Sequence, residues 1–573
     1  MTIDVPFALR YGGKNDAKSV NYRKEGTLMK KTLTLLLVCC LLLGCLAGAA
    51  YADEPKQISY WIDVQQGSSM INSFAELACW QQVEKNLGVQ IKWEHPAIGQ
   101  GTEQFNLIMA SSDLPDIMYY TWTDSYPGGP EAAIADGKII ALNDYIDEYA
   151  PNLKAYLEAH DDIRREITTD EGHIYCFPMV YTNTSADSPV WQGGQEREPY
   201  YESFMGLIIR KDWLDDLGLE IPKTLDDWYV TLKAFKEEKG AEYPLSCISM
   251  FLDLSDSFAS AYDVSVPVTF TGGGTVFSID KEGKVKYGMT GEGYYNYLVF
   301  MNKLYTEGLL DPDFMVQDRT TVQSKIANDK VGAWIEMMPA GIGTLRNQRL
   351  QDNPNDPFYP IGVLNPVANE DDELYYFQAS YPFRAAGAAI TTGCKDIETA
   401  MRVCDYLWSD EGSALMNWGI EGESYEMVDG WPHLTDALIN NDKGLTPSNA
   451  FDFYYQLNGP FAADHANRIA SKTNYRLAEG ETDESLAALD TWSRNGQAPV
   501  GLPGGATLLS EETSEYASFY NELSTYADEM RTKFIMGYES LENYDKYEKT
   551  LRQFGLERVL ELKQNSLDRY NAR

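Results

Sequence analysis

Short runs of β-branched and aromatic residues alternate with longer stretches of helical spacing along much of the chain. Gln57-Ile58-Ser59-Tyr60-Trp61-Ile62, Val89-Gln90-Ile91-Lys92-Trp93 and Asp116-Ile117-Met118-Tyr119-Tyr120 predict three strands. Between them, Ser73 to Asn86, stopped by Gly88, and Phe105 to Ser111 predict helices. Strands alternating with helices predict βαβ units on a mostly parallel sheet, where ligands gather outside the carboxyl ends of the strands. Asp63 to Gly67 and Thr121 to Tyr126 then lie beside any site in this region.

The same pattern returns from Leu207-Ile208-Ile209-Arg210, a predicted strand. Lys223-Thr224-Leu225-Asp226-Asp227-Trp228 opens a helix: Thr224 caps it, Asp227 completes a capping-box spacing, and Leu225, Trp228, Leu232 and Phe235 share a face. Gly291 to Glu307 predicts a helix, Val331 to Glu336 a strand, and Ala386 to Thr391 a strand before the helix Asp396 to Trp408. From about Ser409 onward the pattern is mostly helical, with Ser540 capping Leu541 to Phe554 and Gly555 stopping it. The expected fold class is α/β with two lobes and added helices at the carboxyl end.

Residues 1–52 read differently. Met29-Lys30-Lys31 precedes an apolar run, Leu33 to Leu43, and small residues follow up to Ala50-Tyr51-Ala52. Charged start, short apolar middle and small-residue end are the marks of a secretory signal, and the run falls short of the roughly 20 residues a spanning helix needs. Residues 1–28 are expected to be an upstream extension from a mis-called start. Two processing routes fit: Leu42-Leu43-Gly44-Cys45 resembles a lipobox, which makes Cys45 the candidate lipidated residue, and Ala50-Tyr51-Ala52 suits ordinary cleavage. Either route takes the protein out of the cytoplasm, as a cell-surface lipoprotein or a secreted protein.

Charge narrows the partners. Of the 573 residues, 47 are Lys or Arg and 86 Asp or Glu, for a net charge of −39. A surface this acidic repels phosphate backbones and anionic headgroups, which excludes nucleic acid and leaves a membrane association only through a lipid anchor. Once residues 1–52 are removed, five of the eight cysteines remain, Cys79, Cys176, Cys247, Cys394 and Cys404, an odd, sparse set without CxxC spacing, so buried thiols are expected, with neither a disulfide framework nor a zinc site.

Catalytic signatures are mostly missing. There is no HExxH, and His95, His160, His173, His433 and His465 lie too far apart for metal-ligand spacing on one helix. Gly422-Glu423-Ser424-Tyr425-Glu426 ends in Glu where a nucleophile elbow needs Gly, and Gly272-Gly273-Gly274-Thr275 lacks the Lys of a phosphate loop. Asp352-Asn353-Pro354-Asn355-Asp356 offers oxygens to calcium, but reads first as a solvated loop. No catalytic residue, metal or cofactor is expected.

A series of segments carries a resemblance. Ser111-Ser112-Asp113-Leu114-Pro115-Asp116-Ile117, Gly172-His173-Ile174-Tyr175-Cys176-Phe177-Pro178, Ile209-Arg210-Lys211-Asp212-Trp213-Leu214-Asp215-Asp216-Leu217-Gly218, Gly308-Leu309-Leu310-Asp311-Pro312-Asp313-Phe314, Lys330-Val331-Gly332-Ala333-Trp334, Tyr406-Leu407-Trp408-Ser409-Asp410-Glu411-Gly412, Gly419-Ile420-Glu421-Gly422-Glu423-Ser424-Tyr425, Lys533-Phe534-Ile535-Met536-Gly537 and Asp568-Arg569-Tyr570 occur in this order. Together they resemble the family-1 extracellular solute-binding proteins that serve ABC sugar importers, in the large variety of Gram-positive bacteria. The resemblance spans about Gln57 to Tyr570 and implies a type II periplasmic-binding-protein-like fold, with hinge crossovers near Phe177 to Thr182 and Tyr381 to Ala386. It implies residues 53–180 as the first part of lobe 1, 181–380 as the first part of lobe 2, 381–420 as the return to lobe 1, and 421–573 as a helical part mainly in lobe 2. It also implies a carbohydrate ligand held between the lobes, ABC permease subunits as partners, and a monomer.

A sugar presents apolar C–H faces and hydroxyl edges, so its site needs flat rings and charged or amide side chains. Candidate platforms are Trp122, Trp191, Trp334, Trp418 and Trp431, each in or beside a predicted loop or strand end. Candidate hydroxyl partners are Asp63, Asp124, Glu336, Arg384 and Glu423. Trp213, Trp228 and Trp408 lie on amphipathic helices and are expected in the core. The leading reading is a binding protein that captures an oligosaccharide and makes or breaks no bond. A secreted glycoside hydrolase, which needs two carboxylates flanking the scissile bond, and a peptide or peptidoglycan-fragment binder are the alternatives.

Overall fold

The computed structural model describes residues 55–66, 70–181, 205–248, 257–264, 276–337, 339–372, 383–428, 431–445, 447–463, 487–488, 491–492 and 501–573. The signal segment, Cys45, Trp191 and the Gly272 to Thr275 turn lie outside the described residues. In chain order the strands are β1 (Lys56–Trp61), β2 (Val89–Glu94), β3 (Ile117–Tyr120), β4 (Phe177–Tyr181), β5 (Met205–Arg210), β6 (Tyr243–Cys247), β7 (Phe277–Ile279), β8 (Val285–Tyr287), β9 (Val331–Met337), β10 (Pro360–Val363), β11 (Phe383–Ile390), β12 (Tyr425–Val428), β13 (Trp431–Leu434) and β14 (Ala462–Ala463).

They form two main sheets. The first runs β14-β4-β11-β3-β1-β2, the second β10-β5-β9-β6, and β7-β8 and β12-β13 are separate hairpins. The expected βαβ start is present: β1 lies parallel to β3 with Tyr60 opposite Ile117 and Trp61 opposite Met118, and β2 is on the other side of β1. The sheets are more mixed than the alternation alone predicts. The chain leaves the first sheet along β4 and comes back along β11, so β11 is antiparallel to both β4 and β3. In the second sheet β5 is antiparallel to β9 and β10, and only β6 pairs parallel with β9. After β12 and β13 the chain adds β14 beside β4, and its last helices join the apolar core of the second sheet.

Each sheet has its own apolar core. Around the first, Tyr60 stacks on Trp93 at 5.2 Å between ring centres, and Trp80 meets Trp93 edge-on at 4.8 Å. Around the second, Trp228, Leu232 and Phe235 of the Leu225–Glu237 helix are fully buried. Both capping-box bonds of that helix form, Asp227 N donating to Thr224 Oγ1 at 3.1 Å and Thr224 N to Asp227 Oδ2 at 2.9 Å. Phe235 packs against Gly332 of β9, where a Cβ would fall 2.3 Å from its ring. Trp213 and Trp228 are buried on their helices, and Trp408 packs half-buried against the first core.

The carboxyl part is less uniformly helical than its spacing predicts, because the hairpin β12-β13 interrupts it with Val428 opposite Trp431. The intervening Asp429-Gly430 pair is one that two-residue hairpin loops favour, a signal legible in the sequence. Beyond it come the helices Ser510–Met536, Tyr544–Gln553 and Leu556–Asn571, with Gly555 between the last two. All five described cysteines are free and buried. Among the described residues no helix is long and apolar enough to cross a membrane.

Candidate functional site

The segment following β3 builds one wall of a cavity of about 330 Å³. β3 ends at Tyr120, the next turn buries Trp122 completely against Phe105, and Asp124 projects into the cavity from the following residues. Tyr126 comes next, its hydroxyl donating to Asp136 Oδ2 at 2.8 Å. Gly128 and Gly129 then carry the chain through left-handed φ values of +82° and +68°. A Cβ on Gly128 would lie 2.8 Å from the Cα of Ser510, so only glycine lets this loop reach the start of the Ser510–Met536 helix.

The opposite wall comes from residues almost four hundred positions away. Leu502 to Thr507 and Tyr516 line it, with Lys563 of the terminal helix reaching in between. The Lys563 ammonium sits 4.7 Å above the ring of Tyr516 and 5.7 Å above that of Phe277. Phe383 and Ala385 of β11 close the cavity from below. Ala385 has φ of +57°, a left-handed conformation for a residue with a Cβ, at the irregularity where the β11 to β4 register shifts between Phe383 and Gly387.

Electrostatics follow from enclosure. The Asp124 carboxylate is open to the cavity but hemmed in by protein, and lost hydration raises its pKa, while Lys563 opposite pulls it down. Lost hydration likewise lowers the Lys563 pKa, with Asp124 opposing. Glu166 adds a second carboxylate, its pKa raised first by burial, and accepts from Gly505 N at 2.6 Å and from the Tyr570 hydroxyl at 3.0 Å. Behind it, Arg569 holds Asp170 and Glu512, each at 2.8 Å, and Arg573 holds Asp170 at 2.6 Å. These bonds fix the terminal helix, and Lys563 with it, onto the turn after the Asp161–Glu166 helix.

Of the residues expected from sequence, Asp124 lines this cavity. Asp63 stands on the same rim of the sheet, just past the end of β1, with Oδ1 accepting from Gln65 N at 3.0 Å. Trp122, Trp334 and Trp418 are instead buried in cores, leaving no ring face open. Trp334 stacks on Phe358 at 6.3 Å within the second core, because β9 is covered on both faces. Trp418 packs with Tyr425 in a small satellite cluster. Glu336 is buried and held by Arg319, with N–O distances of 3.1 and 3.2 Å, so its carboxylate is engaged. Glu423 is exposed on the turn before β12. Arg384 lies in β11 and Trp431 in β13, but their side chains, like the whole of Trp191, lie outside the described residues.

Glu166, Tyr516 and Lys563 were not among the expected site residues. The loop Leu502-Pro503-Gly504-Gly505 carries a turn signal, and Asp568-Arg569-Tyr570 lies just past Lys563, but neither points to a cavity without the tertiary contacts. In the Asp352 to Asp356 loop, Asp356 Oδ1 accepts from Arg349 Nε at 3.0 Å and Phe358 N at 2.9 Å. No cluster of three His, Cys, Asp or Glu suited to a metal ion occurs among the described residues.

Two α/β sheets, a chain that passes between them along β4 and β11, and a cavity beyond the carboxyl end of β3 define the periplasmic-binding-protein-like class of fold. The profile of the bacterial extracellular solute-binding protein family matches residues 67–414, and the chain belongs to that family. The fructooligosaccharide ABC transporter substrate-binding protein FusA of Streptococcus pneumoniae serotype 4 is 24% identical over 588 aligned residues, covering 98% of this chain and 95% of the relative. The polygalacturonan/rhamnogalacturonan-binding protein YtcQ of Bacillus subtilis is 26% identical over 355 residues, covering 60% of this chain and 63% of that protein. Among solved structures, an HMO-binding, ABC-transporter-associated solute-binding protein from Bifidobacterium longum infantis superposes with a TM-score of 0.69 at 18% identity, covering 90% of this chain and 99% of the other.

Proposed function

We propose that the protein captures an oligosaccharide in the cavity between Asp124 and Lys563 and delivers it to the permease of an ABC importer without chemical change. The observation that carries this reading is the composition of the walls: the charged groups Asp124 and Lys563 share the lining with the rings of Tyr126, Phe383 and Tyr516. Rings match the C–H faces of a sugar and charges match its hydroxyls. The opposed walls belong to chain segments packed on different cores, as a site closed by hinge motion requires. The names of the relatives, among them a fructooligosaccharide-binding and a polygalacturonan-binding protein, support a carbohydrate.

In this reading residues 53–180 and 381–420 belong to lobe 1 and 181–380 to lobe 2. The carboxyl part 421–573 is divided, its terminal helices joining lobe 2. The protein acts as an exported monomer, either freely secreted or anchored through Cys45. Asp63 on the neighbouring rim, and Trp191, Arg384 and Trp431, are proposed as further contacts for a ligand longer than the cavity. Titration calorimetry with purified oligosaccharides, followed by chromatography of the recovered sugar, tests the proposal. Saturable binding with the sugar returned intact is expected; shorter products would identify a hydrolase, and binding of peptides in place of sugars would overturn the reading.

A further inference from the structure

His95 makes a joint at the edge of the first sheet. It follows β2, and its Nδ1 lies 2.8 Å from the carbonyl oxygen of Ile62, the residue after β1. Across the ring, Nε2 lies 3.3 Å from Phe74 N and 3.2 Å from Ser73 Oγ, at the start of the Phe74–Glu76 turn. These partners fix where the ring carries its proton. The Ile62 oxygen only accepts, so Nδ1 holds hydrogen, and the Phe74 N–H only donates, so Nε2 is bare. Ile62 and Phe74 are both fully buried, and the ring packs beside Phe74 and Trp93, with centres 5.4 and 6.1 Å away. Ser73 and Glu76 close the turn on itself, Ala75 N donating to Ser73 Oγ at 3.3 Å and Ser73 N to Glu76 Oε1 at 3.0 Å, and His95 ties it to the end of β1.

A proton added at Nε2 would face the Phe74 N–H and leave that amide, on a fully buried residue, without its acceptor. Three carboxylates stand on the elements around the ring among the described residues. Asp63 follows Ile62, Glu76 is held by Asn72 N and Ser73 N, and Glu94 of β2 is paired with Lys92 at 2.6 Å. Lost hydration lowers the ring's pKa from the ordinary 6.5, outweighing the Ile62 bond and the Asp63 charge, which raise it.

We propose that His95 is a proton-operated clasp: neutral, it ties the Ser73–Glu76 turn to the end of β1, and protonated, it lets the turn go. The clasp sits beside Asp63 at the rim of the sheet and does not depend on what the protein binds. The released turn binds the proton more tightly than the fastened one. Fastening is therefore complete above the ordinary histidine value of 6.5 and is lost as pH falls below it toward the lowered value.

Hydrogen exchange of the whole chain, followed by mass spectrometry from about pH 7 to about pH 5.5 and corrected for intrinsic rates, reads the joint while ordinary carboxylates stay ionised. Peptides spanning Phe74 are expected to lose protection toward acid, by up to about tenfold. His95→Gln, which offers an N–H and a C=O but does not titrate, is expected to keep that protection constant. Losses of equal size in both chains, or none in wild type, would overturn the clasp. Should the variant not fold, exchange of the His95 C2 hydrogen in wild type reports the titration directly. A midpoint below 6.5 supports the clasp, and one at or above 6.5 would overturn it.

Discussion

Arg569 Nε donates to Asp170 Oδ2 at 2.8 Å, although the two residues lie 399 positions apart. The same guanidinium reaches Glu512 and the carbonyl of Thr507, so one side chain joins the terminal helix, the cavity loop and the turn after the Asp161–Glu166 helix. Fixing Lys563 at the cavity depends on this junction, since both residues ride on the same helix.

Arg569→Ala should therefore lower unfolding free energy by about 2 kcal/mol, the loss expected for charged hydrogen bonds that leave partly buried carboxylates behind. Chemical denaturation checks this, and calorimetry should show weaker sugar binding as well. Unchanged stability would mean that apolar packing alone holds the terminal helix.

Asp124 should couple stability to pH with a definite sign. Burial raises its carboxyl pKa in the folded chain, so folded protein binds that proton more tightly than unfolded protein does. Ionised Asp124 subtracts from stability at neutral pH, and the deficit is recovered as pH falls through the raised value toward the ordinary aspartate value of 3.8. Asp124→Asn is expected to be at least as stable as wild type at neutral pH, with the advantage shrinking toward about pH 4 in urea melts. Its sugar affinity should nevertheless drop, the trade of stability for binding common at functional sites.

Backbone conformation at the cavity makes two substitutions act in opposite directions. Gly128→Ala forces a Cβ to 2.8 Å from Ser510 Cα at φ +82°, and should destabilise the fold by about 1–2 kcal/mol or more. Ala385→Gly relieves a left-handed alanine at φ +57° and should be neutral or stabilising by up to about 1 kcal/mol. Thermal melts of the two variants, run side by side, check the signs.

Buried thiols should be silent until unfolding. Cys79, Cys176, Cys247, Cys394 and Cys404 are free and buried, and burial pushes the Cys394 thiol up to about 12 and Cys79, Cys176 and Cys404 higher still. A thiol reagent should leave these five unmodified in native protein and label all of them in denaturant, as mass spectrometry would show.

The place of Asp124 on the cavity wall was legible because the rule that locates it is local: a strand ending at Tyr120 within a βαβ run puts the next residues at the rim of the sheet. The Thr224 capping box was legible for the same reason, since cap and partner are three residues apart. Trp334 and Trp418 were misleading because a ring at a strand or helix end looks alike in sequence whether its face is open or covered. What covers Trp334 is Phe358, and that contact exists only after β9 and the segment before β10 have been brought together.

Strands, caps, helix stops, the acidic charge and the order of the family's segments are properties of neighbouring residues, and the sequence by itself determined them. The opposition of Asp124 to Lys563, the capture of Glu166 by Gly505 and Tyr570, and the left-handed Ala385 arise where segments up to hundreds of residues apart meet. Only the tertiary structure decided these, because local periodicity fixes which face of an element is apolar but not which distant side chain will stand across from it.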